Sequence, residues 1–376
     1  MSNDLRITRR KTRQISIGSV KIGGDAPIAV QSMTTTDTRD VVATVAEIHR
    51  LEAAGCEIVR VTVPDHASAE VLPKILEQID IPLIADIHFN YQLALLALDA
   101  KVDGLRLNPG NIGSRDRVER VVKQAKDQGV PIRIGVNAGS LEKSLLEQYG
   151  YPTAEAMVAS AAQHIEILES LGFYEIKVSL KASHVGLAVE AYRLFSSRYD
   201  YPLHLGITEA GTAATGSIKS AVGLGILLAE GIGDTIRVSL AADPIEEIRV
   251  GYEILKSLHL RKRGVNVIAC PTCGRLEFDV IKLSCNIEQR LSHITEPIDV
   301  SILGCVVNGI GEGKEADIGI AGGHSGSLLF RKGEIIRKVA SEALESTLIE
   351  EIEQLALERR EARKQQKSTP QPPTSI

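Results

Sequence analysis

The chain carries two cysteines separated by two residues, Cys270 and Cys273, and a third, Cys305, after a further 31 residues. Thiolates at this spacing are typical of a metal ion or an iron–sulfur cluster, although a structural zinc ion would need a fourth Cys or His. The pattern lacks the histidines of a zinc finger and the dense run of four cysteines of a ferredoxin. Glu312 follows in the glycine-rich segment VVNGIGEG. A carboxylate there is either simply solvated or a displaceable fourth ligand that binds iron less firmly than a thiolate does.

The two other cysteines are predicted to have no role as ligands. Cys285 lies in the middle of an amphipathic segment that predicts a helix over 275–293, and Cys56 belongs to a predicted strand. A cysteine in such a position behaves as a small hydrophobic residue, so both thiols are expected to be buried. Five cysteines in a chain with a polar, basic start and no apolar leader indicate metal or redox chemistry rather than a disulfide framework.

A second set of chemically active residues is basic and interrupts short apolar runs. A parallel strand that is buried on both faces should be a nearly continuous apolar run. Side chains alternate between the two faces of a strand, and the flanking Ile, Val and Leu residues suit the face that packs against helices. The basic side chains should therefore share the opposite, inner face. They are Arg60, Arg106, Arg133, Lys177, Lys181 and Arg237.

Eight strand–helix units over residues 28–245 position this basic set. Eight such units in this length predict a (β/α)₈ TIM barrel, whereas an open doubly wound sheet would more often show a glycine-rich turn after its first strand. The preceding segment QISIGSVKIGG predicts a hairpin that closes the bottom of the barrel. The predicted strands are 28–36, 57–63, 82–89, 104–111, 131–140, 175–183, 202–211 and 235–244.

The hydrophobic pattern changes after residue 263, where a smaller α/β unit is predicted. It contains four strand segments, the helix over 275–293 and a charged helix over about 341–365. The Pro- and Ser-rich end of the chain is typical of disorder. The predicted organisation is a barrel domain with its hairpin over 1–263, a cluster domain over 264–366 and a disordered tail over 367–376.

The carboxyl ends of the barrel strands carry the polar residues expected of an active site. Barrel enzymes place their catalytic groups at this mouth, and clustered guanidinium and ammonium groups repel one another unless an anion binds. The segment GTAATGSIKSAVG adds glycine amides, hydroxyls and Lys219, which also suit phosphate. The hypothesis is a phosphorylated small-molecule substrate. The polar strand-end residues are Asp86, His88, Asn137, Thr208, Glu209 and Ser239.

Several of these residues have more than one interpretation. Any single Arg could instead form an internal salt bridge with Asp86 or Glu209, but the cations outnumber the carboxylates. His88 is either a general acid or base or a group that orients a neighbour, and Glu209 is a candidate acid or base. Lys181 is either a Schiff-base lysine or, with so many cations nearby, a phosphate ligand.

The composition excludes several classes of function. Lys and Arg number 43 and Asp and Glu 48, so the net charge of −5 gives no general attraction for nucleic acid or for a membrane. No apolar run approaches the length that spans a bilayer. We therefore expect a soluble cytoplasmic protein.

With these motifs in place, the chain resembles the 4-hydroxy-3-methylbut-2-enyl diphosphate synthase family, in its short bacterial form. The resemblance covers nearly the full chain and rests on VRVTVP, ADIHF, LRLNPGNIG, PIRIGVNAGSLE, HLGITEAG, SLAADP, IACPTCGR and GCVVNG. It implies that 2-C-methyl-D-erythritol 2,4-cyclodiphosphate is opened and dehydrated with two electrons, in the non-mevalonate isoprenoid pathway. The family commonly has Pro where this chain has Ile310, in NGIGE, and the spacing to Glu312 is kept.

The resemblance also implies cofactors, partners and roles. A [4Fe-4S] cluster would be held by Cys270, Cys273, Cys305 and Glu312, and flavodoxin or ferredoxin would supply the electrons. The family forms homodimers in which the cluster domain of one subunit caps the barrel of the other. Glu209 would be the proton donor. The implied diphosphate ligands are Arg60, Arg106, Arg133 and Lys181, with Asp86, His88 and Asn137 as further substrate-site residues beside Thr208 and Ser239.

Two other functions remain compatible with the residues alone. A phosphate-binding lyase or aldolase with a structural zinc site would be colourless and insensitive to oxygen. An iron–sulfur sensor or carrier would hold a cluster but would not need the barrel cations.

Overall fold

The computed structural model describes residues 7–305, 315–324 and 326–368. The chain divides into two compact units, Met1–Arg261 and Lys262–Ile376. Residues 369–376, the greater part of the tail predicted to be disordered, lie outside the described residues.

The first unit is a parallel barrel, as the sequence predicts. Its sheet runs in the order β8-β7-β6-β5-β4-β3-β10-β9, and a parallel bridge between Val178 and Leu203 joins the two outer strands. The eight predicted strands are all present, although the last two are only two residues long. The strands are β3 (Ala29–Met33), β4 (Ile58–Thr62), β5 (Leu83–Asp86), β6 (Gly104–Arg106), β7 (Ile132–Asn137), β8 (Ile176–Lys181), β9 (His204–Leu205) and β10 (Thr235–Ile236).

The predicted hairpin is formed by β1 (Ile15–Ile17) and β2 (Val20–Ile22), which pair in antiparallel fashion. Its apolar side chains form a buried cluster with Ala29, Ile58 and Ile84, which lie at the amino ends of β3, β4 and β5. The hairpin therefore closes the bottom of the barrel, away from the carboxyl ends of the strands.

Helices surround the barrel, and their apolar faces pack against the outer faces of the strands in one continuous core. Capping residues set several of the helix ends: the Asp40 side chain accepts the amide of Ala43 at the start of α1, and Gly55 ends α1 with φ of 109°. The helices of this unit are α1 (Val41–Ala54), α2 (His66–Glu70), α3 (Leu72–Leu76), α4 (Tyr91–Asp99), α5 (Arg115–Gln128), α6 (Lys143–Tyr149), α7 (Ala154–Ser170), α8 (Val185–Arg198), α9 (Ala213–Ala229) and α10 (Pro244–Ser257).

The second unit contains a five-stranded sheet in which β11, β12 and β13 are parallel and β14 and β15 are antiparallel. Residues from both of its described helices join the sheet in a separate apolar core. The elements are β11 (Val265–Ala269), α11 (Val280–Arg290), β12 (Ile298–Leu303), β13 (Ile318–Ala321), β14 (Ser327–Arg331), β15 (Glu334–Val339) and α12 (Leu344–Ser368).

The helix predicted over 275–293 is shorter than expected at both ends. It begins at Val280, because the Asp279 carboxylate accepts the amide of Lys282 and so caps the helix there. The residues before Asp279 form turns and bends instead of continuing the helix. None of the described helices of either unit is long and apolar enough to cross a membrane.

Candidate active site

The basic side chains of the barrel strands lie in the interior, as the alternation of the strands predicts. Their exposed fractions are only 1 to 8%. A sixth cation, Arg237, follows β10 and is 16% exposed at its side chain. The five buried cations are Arg60, Arg106, Arg133, Lys177 and Lys181.

Asp86, at the end of β5, is the central carboxylate of this cluster. Its Oδ1 lies 3.2 Å from Nη1 of Arg106, and its Oδ2 lies 3.5 Å from Nε of Arg60. Burial alone would raise the pKa of Asp86, but the surrounding guanidinium groups of Arg60, Arg106 and Arg133 outweigh burial and lower it. Asp86 is therefore a charged counter-ion, and the interpretation of some barrel arginines as internal ion pairs holds for Arg60 and Arg106.

Arg106 is held from three sides. Besides Asp86, Nη1 donates to the His88 ring at 3.0 Å from Nδ1, and Nη2 donates to the carbonyl of Gly135 at 3.3 Å. A Cβ at Gly135 would lie 2.8 Å from Nε of Arg106, so only glycine leaves room for the guanidinium over β7. Burial and the neighbouring Arg106 lower the pKa of His88 against the opposite effect of Asp86, which favours the neutral ring that accepts this hydrogen bond.

The deeper cations form no ion pair with any residue in the described part of the chain. Burial first, and neighbouring cations second, lower the pKa of Arg133, Lys177 and Lys181 well below their ordinary values. Burial likewise lowers the pKa of Arg60 to about 10. Arg133 donates to Oγ of Ser179 at 2.6 Å, but its Nε and the Nζ of Lys177 have no partner among the described residues.

The charges of the interior do not balance. Two buried carboxylates face the six basic residues: Asp86, and Glu247, whose Oε2 lies 3.4 Å from Nε of Arg237. A third buried carboxylate, Asp234, is already paired with Arg9 at 2.9 Å. A buried excess of positive charge with unpaired N–H groups is unfavourable unless an anion joins it. The barrel interior is therefore suited to bind a polyanion, and phosphate matches the guanidinium geometry.

The other predicted residues line the same edge of the sheet with differing exposure. Asn137 ends β7 and Lys181 ends β8, and the two residues are paired in register. Thr208, after β9, donates its amide to the carbonyl of Ala182, which directly follows β8. Thr208, Asn137 and Ser239 are half-buried. These three are therefore placed at the mouth, with side chains that can reach a ligand above the cations.

Glu209 is exposed and adopts the left-handed backbone region, with φ of 53°. A non-glycine residue in this region carries a small energetic penalty, which is commonly found at functional turns. No ion pair involves Glu209 within the part of the chain that the structure describes. Its carboxylate is therefore available to a ligand at the mouth.

A cavity of about 280 Å³ opens beside these strand ends and is lined in part by His88, Arg106 and Asn137. Its wall also includes Glu142 and Ser160, which sequence reasoning missed. Both lie beyond the strands, in a loop and on a helix, where hydrophobic periodicity does not mark them. Glu142 ends the motif PIRIGVNAGSLE, which could have drawn attention to it.

In the second unit, the ends of two neighbouring strands bring Cys270 and Cys305 close to each other. Cys270 follows β11, Cys305 follows β12, and the parallel register pairs Ala269 with Ile302. The Gly304 amide lies 3.2 Å from Sγ of Cys270 and donates to it. Amide donors of this kind stabilise thiolates and tune iron–sulfur clusters.

Cys273 lies on the exposed turn between β11 and α11. A backbone hydrogen bond from Arg275 lowers the pKa of its thiol and favours the thiolate. The donor set therefore fits a thiolate-bound metal centre. Within residues 7–305, 315–324 and 326–368, however, no three His, Cys, Asp or Glu side chains are gathered closely enough to hold a metal ion. Glu312 and Ile310 lie outside the described residues.

The remaining cysteines differ from each other. Cys56 is buried as predicted, and burial raises the pKa of its thiol to about 12. The prediction that Cys285 is buried was wrong, because the thiol is exposed. The apolar face of α11 is formed by Val280, Leu283 and Ile287. Cys285 lies between Leu283 and Ile287 in the sequence, but on the opposite, solvent-exposed side of the helix.

Comparison with known proteins identifies the family. Residues 12–252 match the GcpE TIM-barrel domain, and residues 266–354 match the GcpE protein C-terminal domain. A protein of Acidithiobacillus ferrooxidans named 4-hydroxy-3-methylbut-2-en-1-yl diphosphate synthase (flavodoxin) is 59% identical over 363 residues, covering 96% of this chain and 99% of the relative. The protein of the same name from Geobacter sulfurreducens is 60% identical over 351 residues, covering 93% and 99%.

Among solved structures, a dihydropteroate synthase from Stenotrophomonas maltophilia has a TM-score of 0.48 at 13% identity, covering 65% of this chain and 98% of that one. That likeness is too weak to bear on function. The two domain matches together span most of the chain, in the order barrel and then C-terminal domain. The chain belongs to the GcpE family.

Proposed function

We propose that the chain catalyses the reductive ring opening and dehydration of 2-C-methyl-D-erythritol 2,4-cyclodiphosphate to (E)-4-hydroxy-3-methylbut-2-enyl diphosphate. The relatives that are about 60% identical over nearly the full chain carry the name of this activity. The observation in the molecule that supports it most directly is the buried excess of cations at the mouth of the barrel, which needs a ligand with several negative charges.

The reaction balances with two electrons. The ring carbon–oxygen bond breaks and its oxygen stays with the diphosphate, a carbon–carbon double bond forms, and a hydroxyl takes up a proton and leaves as water. In this proposal Arg60, Arg106, Arg133 and Lys181 bind the diphosphate and stabilise the charge that develops on it as the ring opens. Glu209 is the proton donor, because its carboxylate lies at the mouth without an ion-pair partner among the described residues.

The other residues of the mouth bind and orient the substrate. Asp86 holds Arg60 and Arg106 in place by charge, and His88 accepts a hydrogen bond from Arg106. The half-buried side chains of Asn137, Thr208 and Ser239 offer neutral hydrogen bonds to the remaining oxygens of the substrate.

A [4Fe-4S] cluster held by Cys270, Cys273, Cys305 and Glu312 would supply the two electrons. The amide of Gly304 and the lowered pKa of Cys273 favour the thiolate forms that such a cluster requires. The proposed electron donor is flavodoxin, after the names of the relatives, with ferredoxin as the alternative, and the proposed active form is a homodimer.

The test is to purify the protein without oxygen and to measure its absorption, its iron and sulfide content and its turnover of the cyclodiphosphate with a chemical reductant. We expect a brown protein with four irons per chain, and turnover that is lost in Arg106→Ala but kept in Arg115→Ala, whose side chain is exposed on α5. A colourless protein with one zinc would overturn the proposal and favour a phosphate-binding lyase. A brown protein with full activity in Arg106→Ala would overturn the role of the barrel cations.

A further inference from the structure

A carboxylate and an imidazole form a partly buried pair beside the cavity. Oε1 of Glu142 lies 3.2 Å from Nε2 of His164 and accepts a hydrogen bond from Oγ of Ser160 at the same distance. On its other side, Nδ1 of His164 accepts the amide of Gly110 at 3.2 Å. Because Nδ1 is an acceptor, Nε2 carries the proton and donates to Glu142. Burial lowers the pKa of His164, which agrees with a neutral ring.

The imidazole connects this pair to the substrate site. Gly110 belongs to the turn Pro109–Asn111, and a Cβ at Gly110 would lie 2.9 Å from Cε1 of His164, so the ring and the turn are closely fitted. The preceding Asn108 exchanges two hydrogen bonds with the backbone of Gly135, at 2.8 and 3.1 Å. Gly135 also accepts a hydrogen bond from Arg106. Glu142 is thus held in a fixed position relative to the guanidinium group that faces the cavity.

The second oxygen of Glu142 remains without a partner. Oε2 is buried and has no hydrogen bond among the described residues, although the side chain as a whole is 30% exposed and lines the cavity. A buried acceptor without a donor is unfavourable. A rotation about the terminal torsion of this partly exposed side chain would bring Oε2 to the cavity, where a ligand or a water molecule can donate to it. A carboxylate repels phosphate oxygens but accepts hydrogen bonds from hydroxyl groups.

The cavity therefore has a cationic part, at Arg106, and a part that accepts hydrogen bonds, at Glu142. We propose that Glu142 is a specificity-determining residue that accepts a hydrogen bond from a free hydroxyl of a hydroxylated diphosphate ester, and that His164 is the residue that positions it. The inference rests on the proposed function, whose substrate is an erythritol with hydroxyls left free at the two carbons that bear no phosphate.

The test compares two ligands, the cyclodiphosphate and inorganic pyrophosphate, by calorimetric titration of the full-length protein at one pH. Pyrophosphate has the two linked phosphates, with a larger negative charge, but no carbon-bound hydroxyl. We expect Glu142→Gln to weaken binding of the cyclodiphosphate about tenfold. His164 and Ser160 would hold the amide oxygen and leave the NH2 group, which cannot accept a hydrogen bond, in the place of Oε2. Binding of pyrophosphate should stay within about twofold or become tighter, because a negative charge near an anion is removed.

Matched variants separate this role from a structural one. Glu142→Asp keeps the charge but shortens the reach, and should show a smaller loss for the cyclodiphosphate alone; it also serves if Glu142→Gln does not fold. Glu155→Gln, an exposed change on α7, should alter neither affinity. Equal losses for both ligands, or no loss for either, would overturn the inference. If the unmodified protein does not bind the cyclodiphosphate, the proposed function itself fails, which is a separate result.

Discussion

Two buried lysines of the barrel should take up protons when the substrate binds. Lys177 and Lys181 are almost fully buried among cations, and burial, followed by the charge of Arg133, holds the pKa of both well below 10.5. Among the described residues, Asp234 raises the pKa of Lys177 and Glu247 raises that of Lys181, and both effects are smaller than that of burial. A diphosphate bound by Lys181, with Lys177 deeper in the same interior, favours the charged forms of both ammonium groups and raises both pKa values, that of Lys181 more.

The sign and the size of the effect follow from these two lysines. Between the lowered pKa of the free protein and the raised pKa of the complex, the complex binds more protons, so affinity increases as pH falls through this window. Each lysine contributes at most one proton and a tenfold change in affinity per pH unit, which is about 1.4 kcal/mol. Two lysines give an upper limit of two protons, and a hundredfold change per unit. His204 adds no proton to this count at neutral pH and above, because burial and then the charge of Lys181 lower its pKa well below 6.5.

The assay is titration calorimetry with the cyclodiphosphate in buffers of different ionisation enthalpy at mildly alkaline pH. This ligand suits the measurement because each phosphorus carries a single strongly acidic oxygen, so its own charge is constant near neutral pH. The slope of the observed enthalpy against the buffer enthalpy counts the protons taken up. We expect between zero and two protons to be taken up for each ligand bound. The number should fall by up to one in Lys177→Met.

The control is Lys74→Met, which removes an exposed lysine on α3 and should leave the count unchanged. An affinity that does not depend on pH from neutral to mildly alkaline conditions, with no proton exchanged in any buffer, would refute the reasoning. It would mean that the ligand does not change the charge of either lysine, so that neither pKa moves across this pH range on binding.

Three further predictions concern stability, geometry and the thiols. Lys177→Met should raise the free energy of unfolding of the ligand-free protein by about 1–3 kcal/mol in urea, since a buried unpaired lysine is replaced by an apolar chain of similar size; a decrease would contradict this. Gly135→Ala places a Cβ 2.8 Å from Arg106 and should weaken pyrophosphate binding about tenfold, whereas Gly139→Ala, which meets nothing within 4 Å, should not; equal effects would contradict the account of Arg106. Cys305→Ser should lower the iron and sulfide content of anaerobically purified protein, and Cys285→Ser should leave it unchanged; equal iron in both would exclude Cys305 as a ligand.

The barrel could be predicted from the sequence because the outer and inner faces of its strands carry different types of residue. Ile, Val and Leu repeat on the face that packs against the helices, so the outer core is visible as a pattern of period two. Arg106 and Arg133 interrupt that pattern on the inner face, and their position was predicted by the same alternation. The bottom hairpin could be predicted for a similar reason, since its strands alternate around Gly18, which has φ of 52°.

Two predictions in the second unit were wrong: the start of the helix at residue 275 and the burial of Cys285. The Asp279 cap decides where α11 begins, and one hydrogen bond is not visible in a hydrophobic pattern that continues beyond it. Cys285 was assigned to the core on residue type alone, although it lies between Leu283 and Ile287 on the exposed side of the helix. Neither error affects the proposed ligands.

The pair of Glu142 and His164 could not be predicted, for a different reason. Its members are 22 residues apart, on a loop and on α7, and they meet only because α7 packs against β7 and the turn after β6. His164 reads in the sequence as one polar residue in an amphipathic helix. Its fitted contact with Gly110 becomes visible only when the helix is placed beside the barrel.

The buried cations link the stability of the barrel to its proposed activity. Without an anion, Lys177 and Arg133 reduce stability, and the continuous apolar core between strands and helices must offset that loss. With an anion, the same groups supply affinity, because among the described residues they have no ion-pair partner to release. Substitutions that make the interior apolar should therefore stabilise the free protein and weaken ligand binding together, as expected when function keeps an unfavourable feature in a fold.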